Sequence, residues 1–181
     1  MLYELEKNSL VTLSRLNETA VHPKPIERQR VPTCLRVFCE ETIAALETHE
    51  GIDKDAVKGT VTFLKMFVEF WKIVNVHQVG ADVRLRDDLR AVMRSPDDWR
   101  LEYLLKLADI VEGMKKKGKG KRVQCLTPDT SESFAFTSRG MVDLTKTLLQ
   151  REEQKFVMLG DYTTDPLEDE FNGLTEFWRC S

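Results

Sequence analysis

Residues 55–76 read DAVKGTVTFLKMFVEFWKIVNV, and this stretch decides the fold. Val57, Val61, Leu64, Val68 and Trp71 recur at steps of three and four, which places them on one helical stripe. Phe63, Phe67, Phe70 and Val74 widen that stripe over much of the circumference. A helix apolar on so many sides belongs at the centre of a helical body, contacted from several directions. Gly80 ends the stretch in a polar loop.

Working outward, the other segments also carry helical periodicity. Leu5, Leu10, Leu13 and Leu16 predict a helix over about Leu2 to Ala20. His22-Pro23-Lys24-Pro25 breaks it, because two prolines remove donors and fix the backbone. Val31, Leu35, Phe38, Thr42 and Leu46 predict a second helix up to Glu47, with Pro32 delaying its regular part to near Thr33. A shorter helix is expected over about Asp82 to Met93. Ser95-Pro96-Asp97-Asp98 reads as the next start, with Ser95 as cap, and Leu101, Leu104, Leu105, Ala108, Val111 and Met114 follow. Thr127-Pro128-Asp129-Thr130 starts another helix, expected to run past Gly140 to Leu149. Gln154 to Leu159 reads as a short extended piece, and Asp165-Pro166-Leu167-Glu168 opens a last helix.

The 181 residues are 41% apolar and 31% charged, the composition of a chain with a real core. A net charge of −3 supplies no global pull toward nucleic acid or anionic membrane, so such contact must be local. No apolar run approaches the ~20 residues of a membrane helix, and the start lacks the pattern of a signal peptide. Cys34, Cys39, Cys125 and Cys180 form no CxxC pair, and their sparseness fits a reducing compartment, with no zinc site expected. His22, His49 and His77 have no ligand partners at motif spacing. No GxSxG, HExxH or phosphate-cradling glycine loop occurs. The run KKKGKGKR at 115–122 holds six cations among eight residues. It is read as a solvated basic loop suited to the negative end of the preceding helix, with phosphate contact as the sharper alternative.

Asp165 and Glu168 admit two readings. Asp165 as N-cap, Pro166 in the first position and Glu168 reaching back make a capping box. The same rigid first turn could instead hold a carboxylate against a divalent metal. Spacing alone favours the cap.

The order of sequence words resembles the C-terminal half of P-element-type DNA transposases, the group that includes the THAP-domain transposases of animals. The words are His22-Pro23, Arg28-Gln29-Arg30-Val31, Val37-Phe38-Cys39-Glu40-Glu41-Thr42 and Gly59-Thr60 with Phe63-Leu64. Phe70-Trp71-Lys72-Ile73-Val74-Asn75-Val76, Leu126-Thr127-Pro128-Asp129-Thr130 and Leu159-Gly160 leading to Asp165-Pro166-Leu167-Glu168 complete the series.

The resemblance implies a mainly α fold: a helical insertion domain over 1–150, then the truncated start of a C-terminal RNase H-like segment over 151–181. In the family, such an insertion interrupts an RNase H-like domain whose acids hold two divalent metals for DNA cleavage and strand transfer. Glu168 matches the last catalytic acid and a metal (Mg²⁺) ligand, and Asp165 the acid just before it. The two earlier acids belong to upstream strands that these residues do not include, so the isolated chain is expected to be catalytically incomplete.

The family's insertion binds a guanine nucleotide, GTP. The nucleotide-contacting words fall here on Arg30, Val31, Cys39 and Asn75, with Asp165 at the pocket's edge. Lys72 departs from the pattern, which has an acid in that position. A carboxylate accepts both donors of the guanine edge, whereas an ammonium only donates, so guanine selectivity is expected to be weak. Phe171-Asn172-Gly173-Leu174-Thr175-Glu176-Phe177-Trp178 also departs from the family's Gly-x-x-Arg continuation. The expected partners are DNA, by descent, and a guanine nucleotide, with self-association into a homo-oligomer and no membrane. The expected location is the nucleus. The competing class is a non-catalytic helical module for protein or nucleotide binding, in which Asp165 and Glu168 are caps only.

Overall fold

The computed structural model describes residues 1–7, 12–27, 30–114, 126–151 and 154–163. These are mainly helical: α1 (Leu2–Glu6), α2 (Glu18–Val21), α3 (Val31–Leu35), α4 (Glu40–Thr48), α5 (Lys54–Val74), α6 (Ala81–Leu85), α7 (Trp99–Gly113) and α8 (Pro128–Gln150). Two 3-10 turns, Asp88–Arg90 and Leu159–Tyr162, complete the described elements. The chain divides into two compact units, Met1–Trp71 and Lys72–Ser181.

In the first unit the expected stripe is the core. Val57, Val61, Leu64 and Val68 of α5 are buried with Leu2, Ile43, Ala45, Leu46 and Ile52, and Leu16, Val37 and Phe38 pack against them. Each buried valine, leucine or isoleucine among them contributes about 1.5–3 kcal/mol. Phe63 and Phe67 stand 4.7 Å apart between ring centres, and Phe38 lies 5.7 Å from Phe67, within the range of favourable ring pairs.

Two expected helices are each divided in this unit. The helix expected over Leu2 to Ala20 is two short ones, α1 and α2. Glu6, only 3% exposed, accepts from the Leu13 amide at 2.9 Å and the Ser14 amide at 3.0 Å, as well as from the Ser14 hydroxyl. Those amides donate to a side chain instead of to the carbonyls of a continuing helix. The second expected helix is likewise divided into α3 and α4, with Pro32 in the first turn of α3.

In the second unit α7 and α8 pack together. Leu101, Leu104, Leu107, Ala108 and Val111 are the buried apolar face of α7. The buried face of α8 is Ser131, Ala135, Ser138, Val142 and Thr145, spaced by alternating steps of four and three. These small residues make a narrow seam, and the Ser131 hydroxyl donates to the Val111 carbonyl at 2.8 Å. α8 starts as the sequence predicts, with the Thr127 side chain accepting from the Thr130 amide and Pro128 in the first turn. It passes through Gly140 without interruption.

The start of α7 is corrected. Its cap is Asp98, which accepts from the Arg100 amide at 3.0 Å, while Ser95 accepts from the Asp97 amide at 3.2 Å in a preceding turn. The helix expected over Asp82 to Met93 is also corrected: α6 ends at Leu85, because Arg86 takes a left-handed conformation at φ 51°. The extended piece expected over Gln154 to Leu159 amounts to one antiparallel bridge between Val157 and Met93. Among the described residues no longer strand occurs. The last expected helix, with Asp165 and Glu168, lies outside the described residues, as do the basic run 115–122 and the departing stretch 171–178.

Candidate functional site

The chain leaves α5 through Asn75, Val76 and His77 and turns at Gly80, whose φ of 82° suits glycine. That turn and α6 enclose a cleft of about 210 Å³ lined by Asn75, His77, Gln78, Arg84, Leu85 and Arg90, among others. Two amides, an imidazole and two guanidinium groups therefore converge on one opening. The Asn75 side-chain oxygen lies 3.0 Å from His77 Nε2.

The wall of the cleft is organised by ion pairs. Lys72, in the last turn of α5, reaches Asp87 at 2.9 Å, with both side chains less than one-fifth exposed. Arg90 approaches the same carboxylate at 3.5 Å, and the Leu89 amide donates to it at 3.3 Å. Burial alone would raise the Asp87 carboxyl, but the hydrogen bond and charge of Lys72, with Leu89 and Arg90, outweigh it and hold Asp87 below its ordinary value.

Behind this wall Arg100 is 4% exposed. It forks onto Asp98 at 3.0 and 2.7 Å and donates to the carbonyls of Asp88, Leu89, Ala91 and Val92. One side chain thus fixes the backbone that carries Asp87 and Arg90. From the other end of the unit, the Gly160 amide donates to the Val76 carbonyl at 3.1 Å. A Cβ at Gly160 would come within 2.6 Å of His77 and 2.7 Å of that carbonyl, so only glycine lets the Leu159–Tyr162 turn seat here.

The nucleotide-contacting candidates divide between the two units. Arg30 caps α3 without a side-chain bond and is exposed, and Val31 next to it is 54% exposed. Cys39 stands at the N-cap of α4, its thiol 3.3 Å from both the Arg36 carbonyl and the Thr42 hydroxyl. Lys72 and Asn75 belong to the second unit, and there they meet Asp87 and the cleft. Asp165 and Glu168 lie outside the described residues. Sequence reasoning missed Asp87, Arg84 and Arg90. The signal was available in the dense alternation of charge over 82–90.

As a nucleotide pocket this cleft is small, since ligand sites usually enclose at least ~300 Å³. It has room for a phosphate or another compact anion against Arg84 and Arg90. Among the described residues no three His, Cys, Asp or Glu side chains gather as a metal-holding group. No helix among them is long and apolar enough to cross a membrane.

No protein-family model matches the chain, and no curated protein matches it. Its fold is similar to that in the solved structure of the Drosophila P element transposase strand transfer complex, with a TM-score of 0.75 at 17% sequence identity. The likeness covers 95% of this chain and 38% of the transposase chain, so these residues span about two-fifths of that protein. At this identity the likeness is one of fold.

Proposed function

We propose that this chain is a fragment or derivative of a P-element-type DNA transposase, a helical scaffold that supports metal-dependent DNA cleavage and strand transfer without completing the catalytic site by itself. The observation that carries the reading is the fold likeness over 95% of the chain to a P element transposase chain. The sequence words from His22 to Glu168 occur in the order expected of the same family, which supports the reading from the sequence side.

In this reading DNA is the macromolecular partner and the nucleus the place of action. Glu168 and Asp165 would take part in holding Mg²⁺, which would supply charge stabilisation and an activated water or 3′ hydroxyl for phosphoryl chemistry. Each ion needs several oxygen ligands at once, and two acids do not satisfy two ions. The 181 residues alone should therefore show no saturable Mn²⁺ site by water-proton relaxation. Saturable binding that Glu168→Ala removes would overturn the incompleteness.

GTP is a weak ligand in this account. Lys72 is engaged with Asp87, and an ammonium in the place of a base-reading acid gives guanine no matched acceptor. Calorimetric titration is expected to give weak binding of GTP and ATP with no preference. Tight guanine-selective binding would contradict it. A second reading, a non-catalytic binding module, is favoured by the Arg84–Arg90 cleft. Nucleotide binding without any turnover, in a chain that never joins an active transposase assembly, would select it.

A further inference from the structure

The cleft beside α6 carries fixed charge of one sign. Arg84, Arg90 and Gln78 line it, and no carboxylate stands among its described lining residues. Asp82 and Asp88 belong to the same stretch but do not line it. Asp87 meets Lys72 at 2.9 Å, and Arg90 reaches that acid through Nε alone, at 3.5 Å. Asp161 approaches His77 Nδ1, at 3.9 Å, also from outside the lining. Arg84 is exposed and has no hydrogen bond or ion pair among the described residues.

Size and shape narrow the ligand. The volume of about 210 Å³ suits a phosphate group better than a whole nucleotide. His77, Gln78, Arg84 and Leu85 are all exposed, so an anion seated here stays at the surface. A phosphate within a strand can enter such an open site while its two sugars remain outside. The guanidinium fork matches phosphate oxygens, and two forks can share one anion. With a net charge of −3, the chain can meet a polyanion only through a local surface free of acids, which this cleft supplies.

We infer that this cleft seats one phosphate of a DNA backbone, with Arg84 and Arg90 on its non-bridging oxygens and the Gln78 amide donating beside them. The inference rests on the transposase reading, which makes DNA the partner, and adds the place of contact. Such a contact positions the duplex without reading its sequence.

The test uses the full chain, a fluorescently labelled DNA duplex read by anisotropy across salt concentrations, and inorganic phosphate as the free-anion probe. Arg84→Gln should weaken duplex binding roughly fivefold, equally for unrelated sequences, and lower the slope of log affinity against log salt by about 1. Arg86, exposed but outside the lining, is the control, and Arg86→Gln should change affinity by less than about twofold. Thermal melts of both variants should match the parent. In proton–nitrogen spectra, inorganic phosphate should perturb residues 75–90 of the parent but not of Arg84→Gln. Equal losses in the two variants, indifference to Arg84→Gln, or spectra that phosphate leaves unmoved would overturn the inference and leave the transposase reading in place. Absence of any duplex binding, with or without a phosphate-induced change, would overturn it together with that reading.

Discussion

Replacing Arg100 by methionine tests whether one buried guanidinium organises the cleft wall. The side chain is 4% exposed and its partners are Asp98 and four backbone carbonyls between Asp88 and Val92. Methionine fills similar space but leaves the Asp98 carboxylate, whose side chain is 15% exposed, without its countercharge. Removing one partner of a largely buried pair costs about 3–5 kcal/mol, against a typical total stability of about 5–15 kcal/mol. Urea unfolding at neutral pH should therefore show a large fall in midpoint at an unchanged slope. The double variant Arg100→Met/Asp98→Asn should recover about 1–3 kcal/mol relative to additivity, because the orphaned charge is gone. Hydrogen exchange should localise the loss to 87–92. A single variant within about 1 kcal/mol of the parent, or an additive double variant, would refute the reasoning.

Three further outcomes follow from other side chains. Burial would raise the Glu6 carboxyl, but the Ser14 hydroxyl with the Ser14 and Leu13 amides outweighs it, so its folded value is lowered. Glu6 therefore adds stability above the ordinary carboxylate range and loses it as pH falls through the folded value; Glu6→Gln should be less stable than the parent at neutral pH, with the gap closing in acid, as urea melts across pH would show. Ser138 has a buried hydroxyl with no hydrogen-bond partner, so Ser138→Ala should raise stability by about 1 kcal/mol, and a clear fall in melting temperature would contradict that. Gly160→Ala should cost about 1–3 kcal/mol, because the Val76 carbonyl at 2.7 Å is backbone, and adding His77→Ala should relieve only part of the loss.

What could be read in the sequence was whatever local periodicity or capping chemistry decides. α5 was legible because its apolar residues repeat on several faces, and the start of α8 because Thr127-Pro128 leaves little alternative. The start of α7 was not, since Ser95 and Asp98 are both good caps and the choice is made by Arg100, which anchors Asp98 from the side. The break at Arg86 carries no glycine or proline to announce it. The seam of α8 hides behind serines and threonines that read as polar. Lys72 was visible as a departure from a family pattern, but its pairing with Asp87 depends on the path of the chain between them. The pairing of Gly160 with Val76 joins residues far apart in sequence, which no window of periodicity can see.

The most direct measurement of the central claim is a cleavage and strand-transfer assay on double-stranded DNA, using the 181-residue chain alone with Mg²⁺ or Mn²⁺. DNA is expected to be neither nicked nor joined. Metal-dependent cleavage by the unmodified chain that disappears in Glu168→Ala would contradict it, because the catalytic site would then be complete within these residues.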